Sequence, residues 1–200
     1  MTRIIALLFV FLPFALPVTA ISADFSAKGD TLYFSGFVNM DDEKDFLSVL
    51  KQNEGIKMVV LDSEGGRVHP STRIASMIID FELDTHVEGE CLSSCAHYFQ
   101  LAGIKRTMGR GSRIGYHQTF WEYEHLKKNY EEAPEEWNND KFLFAKWIDE
   151  VAVRQISEDL EYALSRGVTA EFAIKTVQVG LDNVWYPLRP ELISAGVLTE

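Results

Sequence analysis

Along this chain, blocks with the alternating or continuous apolar character of strands give way to blocks whose apolar residues recur every three or four positions. From Asp30 to Val38, the run Thr31-Leu32-Tyr33-Phe34-Ser35-Gly36-Phe37 is rich in aromatic side chains and predicts a strand. Asp41-Asp42-Glu43 then offers an N-cap and an acidic first turn. Phe46, Val49 and Leu50 follow at helical spacing, and Asn53-Glu54-Gly55 closes that helix. Lys57 to Leu61 is a short apolar run of the kind that forms buried parallel strands. Past the pair Gly65-Gly66, Pro70 opens a helix whose apolar face holds Ile74, Met77 and Ile78, and Thr85 to Val87 predicts another short strand.

In the second half, Tyr98, Phe99, Leu101 and Ala102 form an apolar helical segment stopped by Gly103. Arg106 to Met108 and Arg113 to Tyr116 predict two short strands joined through Gly109-Arg110-Gly111. Residues Phe120 to Asn139 break the rhythm: they are aromatic, acidic and interrupted by Pro134. Phe144, Trp147, Ile148, Val151, Ile156 and Leu160 then recur with a period near 3.6 and predict one long amphipathic helix ended by Gly167. Thr169 caps a short helix reaching Gly180, Asp182-Asn183-Val184-Trp185-Tyr186 leads into a strand, and Pro190 opens a last helical turn closed by Gly196. Strand, glycine-rich turn and helix in repetition imply α/β layering around a mostly parallel sheet.

The N-terminus stands apart from this pattern. Met1-Thr2-Arg3 precedes an apolar stretch from Ile4 to Val18, with small residues at Ala20 and Ala23, which describes a secretory signal peptide over residues 1–23. Cleavage after Ala20 or after Ala23 fits, and Pro13 and Pro17 argue against a stable spanning helix, although an uncleaved anchor is the alternative. The expected location is periplasmic or secreted, with residues 24–200 forming one domain large enough for a sizeable core. The chain carries a formal charge of −11, and loss of Arg3 with the leader makes it −12. A protein this acidic repels phosphate backbones, so nucleic acid is not an expected partner.

Charge and compartment change the reading of the two cysteines. Cys91 and Cys95 would both reach an oxidising compartment, where an even count defaults to a disulfide. Residues four apart in a regular helix have Cα atoms about 6 Å apart, within reach of a bridge, but parallel Cβ vectors would strain it. Cys91 is therefore expected outside the helix. Two small buried thiols beside a turn are the alternative. No second pair of ligands shows metal-binding spacing, so no metal is expected.

Between these cysteines lies the candidate chemistry. Ser93 sits in Gly89-Glu90-Cys91-Leu92-Ser93-Ser94-Cys95-Ala96, where the chain passes into a helix, and His117 lies 24 residues further on, at a strand end. A serine hydroxyl is a poor nucleophile until a base takes its proton, and His117 is that base. The start of a helix favours developing negative charge, so the N–H of Ser94 is a candidate oxyanion donor. Gly65 and Gly66 can bring a second N–H close because no Cβ intervenes. Asp182 is the chosen third member that would orient the imidazole, with Asn183 the runner-up. Each residue also has a plain structural reading: a cap for Ser93, a hydrogen-bonded strand-end residue for His117, turn residues for Asp182 and the glycine pair. The order and spacing of all of them favour a serine hydrolase.

With these residues in place, the sequence resembles the Clp protease proteolytic-subunit family of the Clp-protease/crotonase superfamily, and more narrowly its exported bacterial relatives. The likeness rests on the opening strand–helix–strand–Gly-Gly order at Gly65-Gly66, Ser93 four residues after Gly89, Ala102-Gly103 after it, and His117-Gln118. It implies a spiral of repeated β-β-α units with a long helix in the C-terminal half. It further implies a Ser93–His117–Asp182 triad, an oxyanion hole from Gly65, Gly66 and Ser94, and a homo-oligomer built through the long "handle" helix. The apolar stripe of that helix reads equally as ordinary core. Glu64 stands where the family has proline, the flanking cysteines are outside the general pattern, and the acidic insert replaces a glycine-rich segment that helps bind peptide strands.

Export separates such a protein from ATP and from unfoldases, so the expected activity is cleavage of a peptide or protein substrate without ATP or any other cofactor. A catalytically inactive binding or scaffold protein of the same fold is the alternative. An acyl-CoA enzyme of crotonase type is a weaker third reading, since no basic cluster would hold the coenzyme's phosphates.

Overall fold

The computed structural model describes residues 22–119, 123–180 and 182–200. Of the predicted signal peptide, residues 1–21 therefore lie outside the described residues. Among the described residues no helix is long and apolar enough to cross a membrane.

A six-stranded sheet forms the centre. Its strands are β1 (Asp24–Lys28), β2 (Thr31–Val38), β3 (Met58–Gly66), β4 (Asp84–Leu92), β5 (Arg106–Met108) and β6 (Arg113–Gly115). They run in the order β1-β2-β3-β4-β5, with β6 also paired to β4. Only the β1–β2 hairpin is antiparallel. The helices are α1 (Asp42–Gln52), α2 (Val68–Asp80), α3 (Gln100–Ala102), α4 (Tyr123–Glu132), α5 (Lys141–Ser165), α6 (Ala170–Gln178) and α7 (Arg189–Ser194). A π-helical turn, Cys95–Phe99, runs directly into α3.

Alternation along the strands explains how the sheet meets the helices. Leu32, Phe34 and Val38 of β2, Val59 and Leu61 of β3, and Val87 and Cys91 of β4 are buried, while Tyr33, Asp62 and Glu64 on the other face are exposed. The buried face packs on α1, α2 and the π-helical turn, and Phe34 touches Phe25, Phe46 and Phe99 with ring centroids 4.8, 6.3 and 4.8 Å away. Lys57 to Leu61, expected to be a buried strand, is buried on alternate residues only.

β4 divides the sheet. Its pairing with β3 steps from Leu61–Val87 to Ser63–Cys91, so β4 spends four residues where β3 spends two. Asp62 fills the irregularity, its carboxylate accepting the N–H of Glu90 at 2.9 Å. The bend frees Thr85–Val87 to pair with Arg106–Met108, and Glu90–Leu92 to pair with Arg113–Gly115. β4 is thus much longer than the predicted Thr85–Val87.

Three segments differ from the sequence reading. β1 was not anticipated, because an edge strand with no fully buried residue leaves a weak pattern. The strand expected around Val184–Tyr186 is a single bridge between Trp185 and Tyr116, since only one residue pair comes into register. The insert is built of α4 and a 3₁₀ turn, Pro134–Trp137. Its Tyr130 packs on Phe144 of α5, and its Trp137 on Phe144 and Trp147, with centroids 5.0–5.4 Å apart.

α5 is as long as expected, yet it is not a core helix. In its 25 residues Asp159 alone is buried. The predicted stripe of Phe144, Trp147, Ile148, Val151 and Leu160 is half-buried, Ile156 is exposed, and Phe142 is 86% exposed. Its C-terminal end is held by Arg166, which donates from Nε to Leu101 O and from Nη2 to Ala102 O, both at 2.9 Å, and so caps α3.

The end of β3 shows why a glycine pair closes it. Gly66 has φ +144°, and a Cβ there would stand 2.2 Å from Val38 O. Gly66→Ala is accordingly expected to cost about 2 kcal/mol or more, read as a lowered urea midpoint at unchanged slope.

Candidate active site

Parallel strands that pair side by side end side by side, and this sets the segments carrying the predicted nucleophile and base at neighbouring strand ends. Leu92 lies opposite Gly115, so Ser93 and His117 both leave the C-terminal edges of adjacent strands, β4 and β6. The Ser93 N–H continues the ladder by donating to Gly115 O at 3.2 Å.

Ser93 itself has a left-handed backbone, φ +52°. A non-glycine residue there is strained, and such conformations persist only where surrounding contacts fix them. Three contacts do so here. A disulfide joins Cys91 to Cys95 with Cα atoms 5.2 Å apart, the N–H of His97 donates to Ser93 O at 2.9 Å, and the bond to Gly115 holds the other side. Cys91 ends a strand and Cys95 opens the π-helical turn, which places Cys91 outside the helix as expected. The result is a sharp strand-to-helix elbow with a serine at its tip.

The glycine pair is brought against this elbow. Ser94, itself buried, donates its hydroxyl to Gly66 O at 2.9 Å. Gly65 has φ +86°, and a Cβ on it would fall 2.6 Å from both Ser94 N and Leu92 O, so only glycine allows this approach. The N–H of Gly65 donates to Ser63 Oγ at 3.1 Å, while Ser63 Oγ donates to Gly36 O at 2.5 Å. Gly65 is therefore a spacer whose own N–H is already bonded.

His117 is oriented by its own neighbour. Its Nδ1 lies 2.8 Å from Gln118 O, and because a carbonyl only accepts, Nδ1 carries the proton. In the neutral ring that places the basic nitrogen at Nε2, the tautomer a general base requires. Asp182 is exposed in the turn after α6, as is Asn183, and neither carboxylate nor amide is bonded to His117 among the described residues. That turn nonetheless hangs close by, since Tyr116 and Trp185 exchange two backbone hydrogen bonds of 2.9 Å.

Two further residues of the site were missed in the sequence. His97, one helical turn beyond Ser93, donates from Nε2 to His117 O at 3.1 Å and meets Tyr116 edge-on at 5.3 Å. Burial pushes its pKa below the usual 6.5, opposed by the nearby charge of Asp159 and by the bond to His117 O. Asp159 accepts from Tyr98 Oη at 2.5 Å, from Gln155 Nε2 at 2.8 Å and from Thr119 Oγ1 at 3.1 Å. Burial and Asp159 together raise the pKa of Tyr98 well above the ordinary phenol value. The one local signal was a histidine four residues after Ser93; nothing in the sequence sets Asp159 apart from the other acids of its helix.

Two surface hollows, of about 260 and 410 Å³, lie beside Trp137 and Trp147 and beside Leu47 and Arg73, away from Ser93. Among the described residues no group of three His, Cys, Asp or Glu side chains is placed to hold a metal.

The fold and elbow define a protein of ClpP-like architecture. A solved structure of a mutant of the ClpP1 protein of Listeria monocytogenes superposes with a TM-score of 0.59, covering 86% of this chain and 90% of that one at 21% identity. No family model matches the sequence, and no curated protein matches it. At this identity the likeness establishes the fold: mixed α/β, with helices around the spiralling sheet.

Two outcomes follow from the elbow. Thiol titration of oxidised protein should find no free thiol, and the paired Cys91→Ala/Cys95→Ala variant should lose about 2 kcal/mol, the loop-closure value for so short a ring. His97 contributes a pH dependence whose sign is fixed by its lowered pKa. Its contribution is complete above about 6.5, where both folded and unfolded imidazoles are neutral, and falls as acid protonates the unfolded state first. Stability should drop below pH 6.5 by at most about 1.4 kcal/mol per unit from this group, and His97→Gln should flatten that slope in urea melts.

Proposed function

We propose that this chain is an exported serine hydrolase that cleaves peptide bonds, with Ser93 as nucleophile and His117 as general base. The observation that carries it is the strained Ser93 elbow, φ +52°, set beside a histidine whose Nδ1–H is already bonded at 2.8 Å. In this reading His117 Nε2 takes the Ser93 proton as the hydroxyl attacks the peptide carbonyl, and returns it to the leaving amine. The N–H groups of Ser94 and Gly66 stabilise the oxyanion. Asp182 is the proposed third member, reaching the imidazolium from the turn tied to Tyr116; the Gln118 carbonyl sets the tautomer without it.

The signal peptide over 1–23, a domain over 24–200 and a periplasmic or secreted location complete the proposal. No ATP and no cofactor takes part, and the substrate is a peptide or unfolded segment. The half-exposed apolar stripe of α5 supports self-assembly into a homo-oligomer, since such a surface is normally covered. A second reading, a binding or scaffold protein without catalysis, is favoured by the exposure of Asp182 and by the helical acidic insert.

Labelling with a fluorophosphonate probe separates the two. Wild-type protein should be labelled at Ser93, and Ser93→Ala should abolish labelling and lower peptide turnover by about a thousandfold or more. Labelling that persists in Ser93→Ala overturns the assignment, and a folded wild type that takes no label favours the scaffold.

A further inference from the structure

Asp159 is buried on a helix that buries nothing else, and this is chemically costly. A carboxylate removed from water must have its oxygens bonded, and an uncharged residue would fill the same space at less cost. Its three bonds lead to two places. Through Tyr98 it reaches the π-helical turn that begins two residues after Ser93, and through Thr119 it reaches the segment two residues after His117.

We infer that Asp159 is the positioning residue of the Ser93–His117 pair, holding the histidine's segment through Thr119 and the nucleophile's helix through Tyr98. The inference takes its chemistry from the hydrolase reading, but its geometry stands apart from it.

The segment it holds is the one that orients the base. Gln118 O accepts the Nδ1–H of His117, so the direction of that carbonyl contributes to the tautomer and tilt of the ring. The peptides around it are pinned on three sides. His97 donates to His117 O at 3.1 Å, Gln118 N–H donates to Val179 O at 2.9 Å, and Thr119 Oγ1 donates to Asp159 at 3.1 Å. The last bond is the only one of the three made to a charged group, and charge-assisted bonds are the stronger kind. Without it, the 118–119 peptide can turn, and the Gln118 carbonyl turns with it.

Asp159 touches no reacting atom, so its role differs from that of a triad acid. Asp182 is an exposed carboxylate, whereas Asp159 is buried and bonded to three side chains. Tyr162 extends the same frame, its hydroxyl donating to Tyr98 O at 2.9 Å. Gln155 completes the shell around Asp159 Oδ1. α5 thereby joins the two halves of the site without contributing to its chemistry.

The test uses the full mature chain as wild type, Thr119→Val, Thr119→Ser and Asp159→Asn, with two readouts. Imidazole ¹⁵N–¹H correlation spectra report the tautomer of His117, and the fluorophosphonate labelling rate reports the reactivity of Ser93. The expected result is a single Nδ1–H tautomer in wild type and Thr119→Ser, a mixed or shifted state in Thr119→Val and Asp159→Asn, and labelling slowed by about tenfold or more in the latter two. A folded Thr119→Val that keeps the wild-type His117 spectrum overturns the positioning role, as does a wild type without the single Nδ1–H tautomer. Should Asp159→Asn fail to fold, Thr119→Val decides alone, because it removes one hydroxyl and keeps the shape. If wild type takes no label while Thr119→Val still shifts His117, the hydrolase reading falls and the positioning role holds.

Discussion

The parallel pairing of Glu90–Leu92 with Arg113–Gly115 is the contact on which the site depends, because it fixes where two chain segments of unrelated sequence come to an end. It exists only because β4 bends at Glu88–Gly89 and leaves β5 for β6. That bend in turn requires Asp62, on the neighbouring strand, to accept the N–H that the irregular ladder would strand. A straight β4 would carry on beside β5. Ser93 would then emerge away from Tyr116 and His117, and the serine and histidine would be two ordinary surface residues.

Placing a serine at φ +52° costs on the order of 1–3 kcal/mol, and the surrounding bonds must offset it. The Cys91–Cys95 ring removes about 2 kcal/mol worth of freedom from the unfolded chain, a value of the same size. The bridge, the Gly115 carbonyl and the His97 N–H act on the same five residues, so none of them sets the elbow alone. This accounts for a disulfide at a place where the core is already closed: Cys91 and Cys95 are both fully buried among apolar side chains, and the ring acts on the turn rather than on the packing.

How much of this was legible in the sequence depended on whether a feature was local. Gly103 and the Asn53-Glu54-Gly55 stop announce helix ends through backbone chemistry and the structure has them there, Pro70 sits in the first turn of α2, and Gly65-Gly66 close β3. The Ser93 elbow was readable from its small residues and the flanking cysteines, and the long helix from its period. β1 was not, since its pairing partner, and not its own pattern, makes it a strand. The bridge of Trp185 to Tyr116 and the burial of Asp159 are matters of tertiary contact. An acid at one position of an amphipathic helix is unremarkable until Tyr98, Gln155 and Thr119 are seen around it. His97 was passed over for the same reason, because its function comes from a carbonyl 20 residues away.

The long helix gives the site an uncommon mechanical footing. α5 packs on the core only through partly buried residues near its C-terminal end, Leu160, Tyr162 and Ala163, and its polar contacts to the rest of the fold fall in the same place. Asp159 bonds Tyr98 and Thr119, Tyr162 bonds Tyr98 O, and Arg166 bonds the carbonyls of Leu101 and Ala102. Every one of these partners belongs either to the helix that follows Ser93 or to the segment that follows His117. Hydrogen bonds are short-ranged and directional, so a small shift of α5 would be transmitted to both halves of the site at once, whereas an apolar interface would slide. On the other side of α5, Phe142 and Val153 are largely exposed.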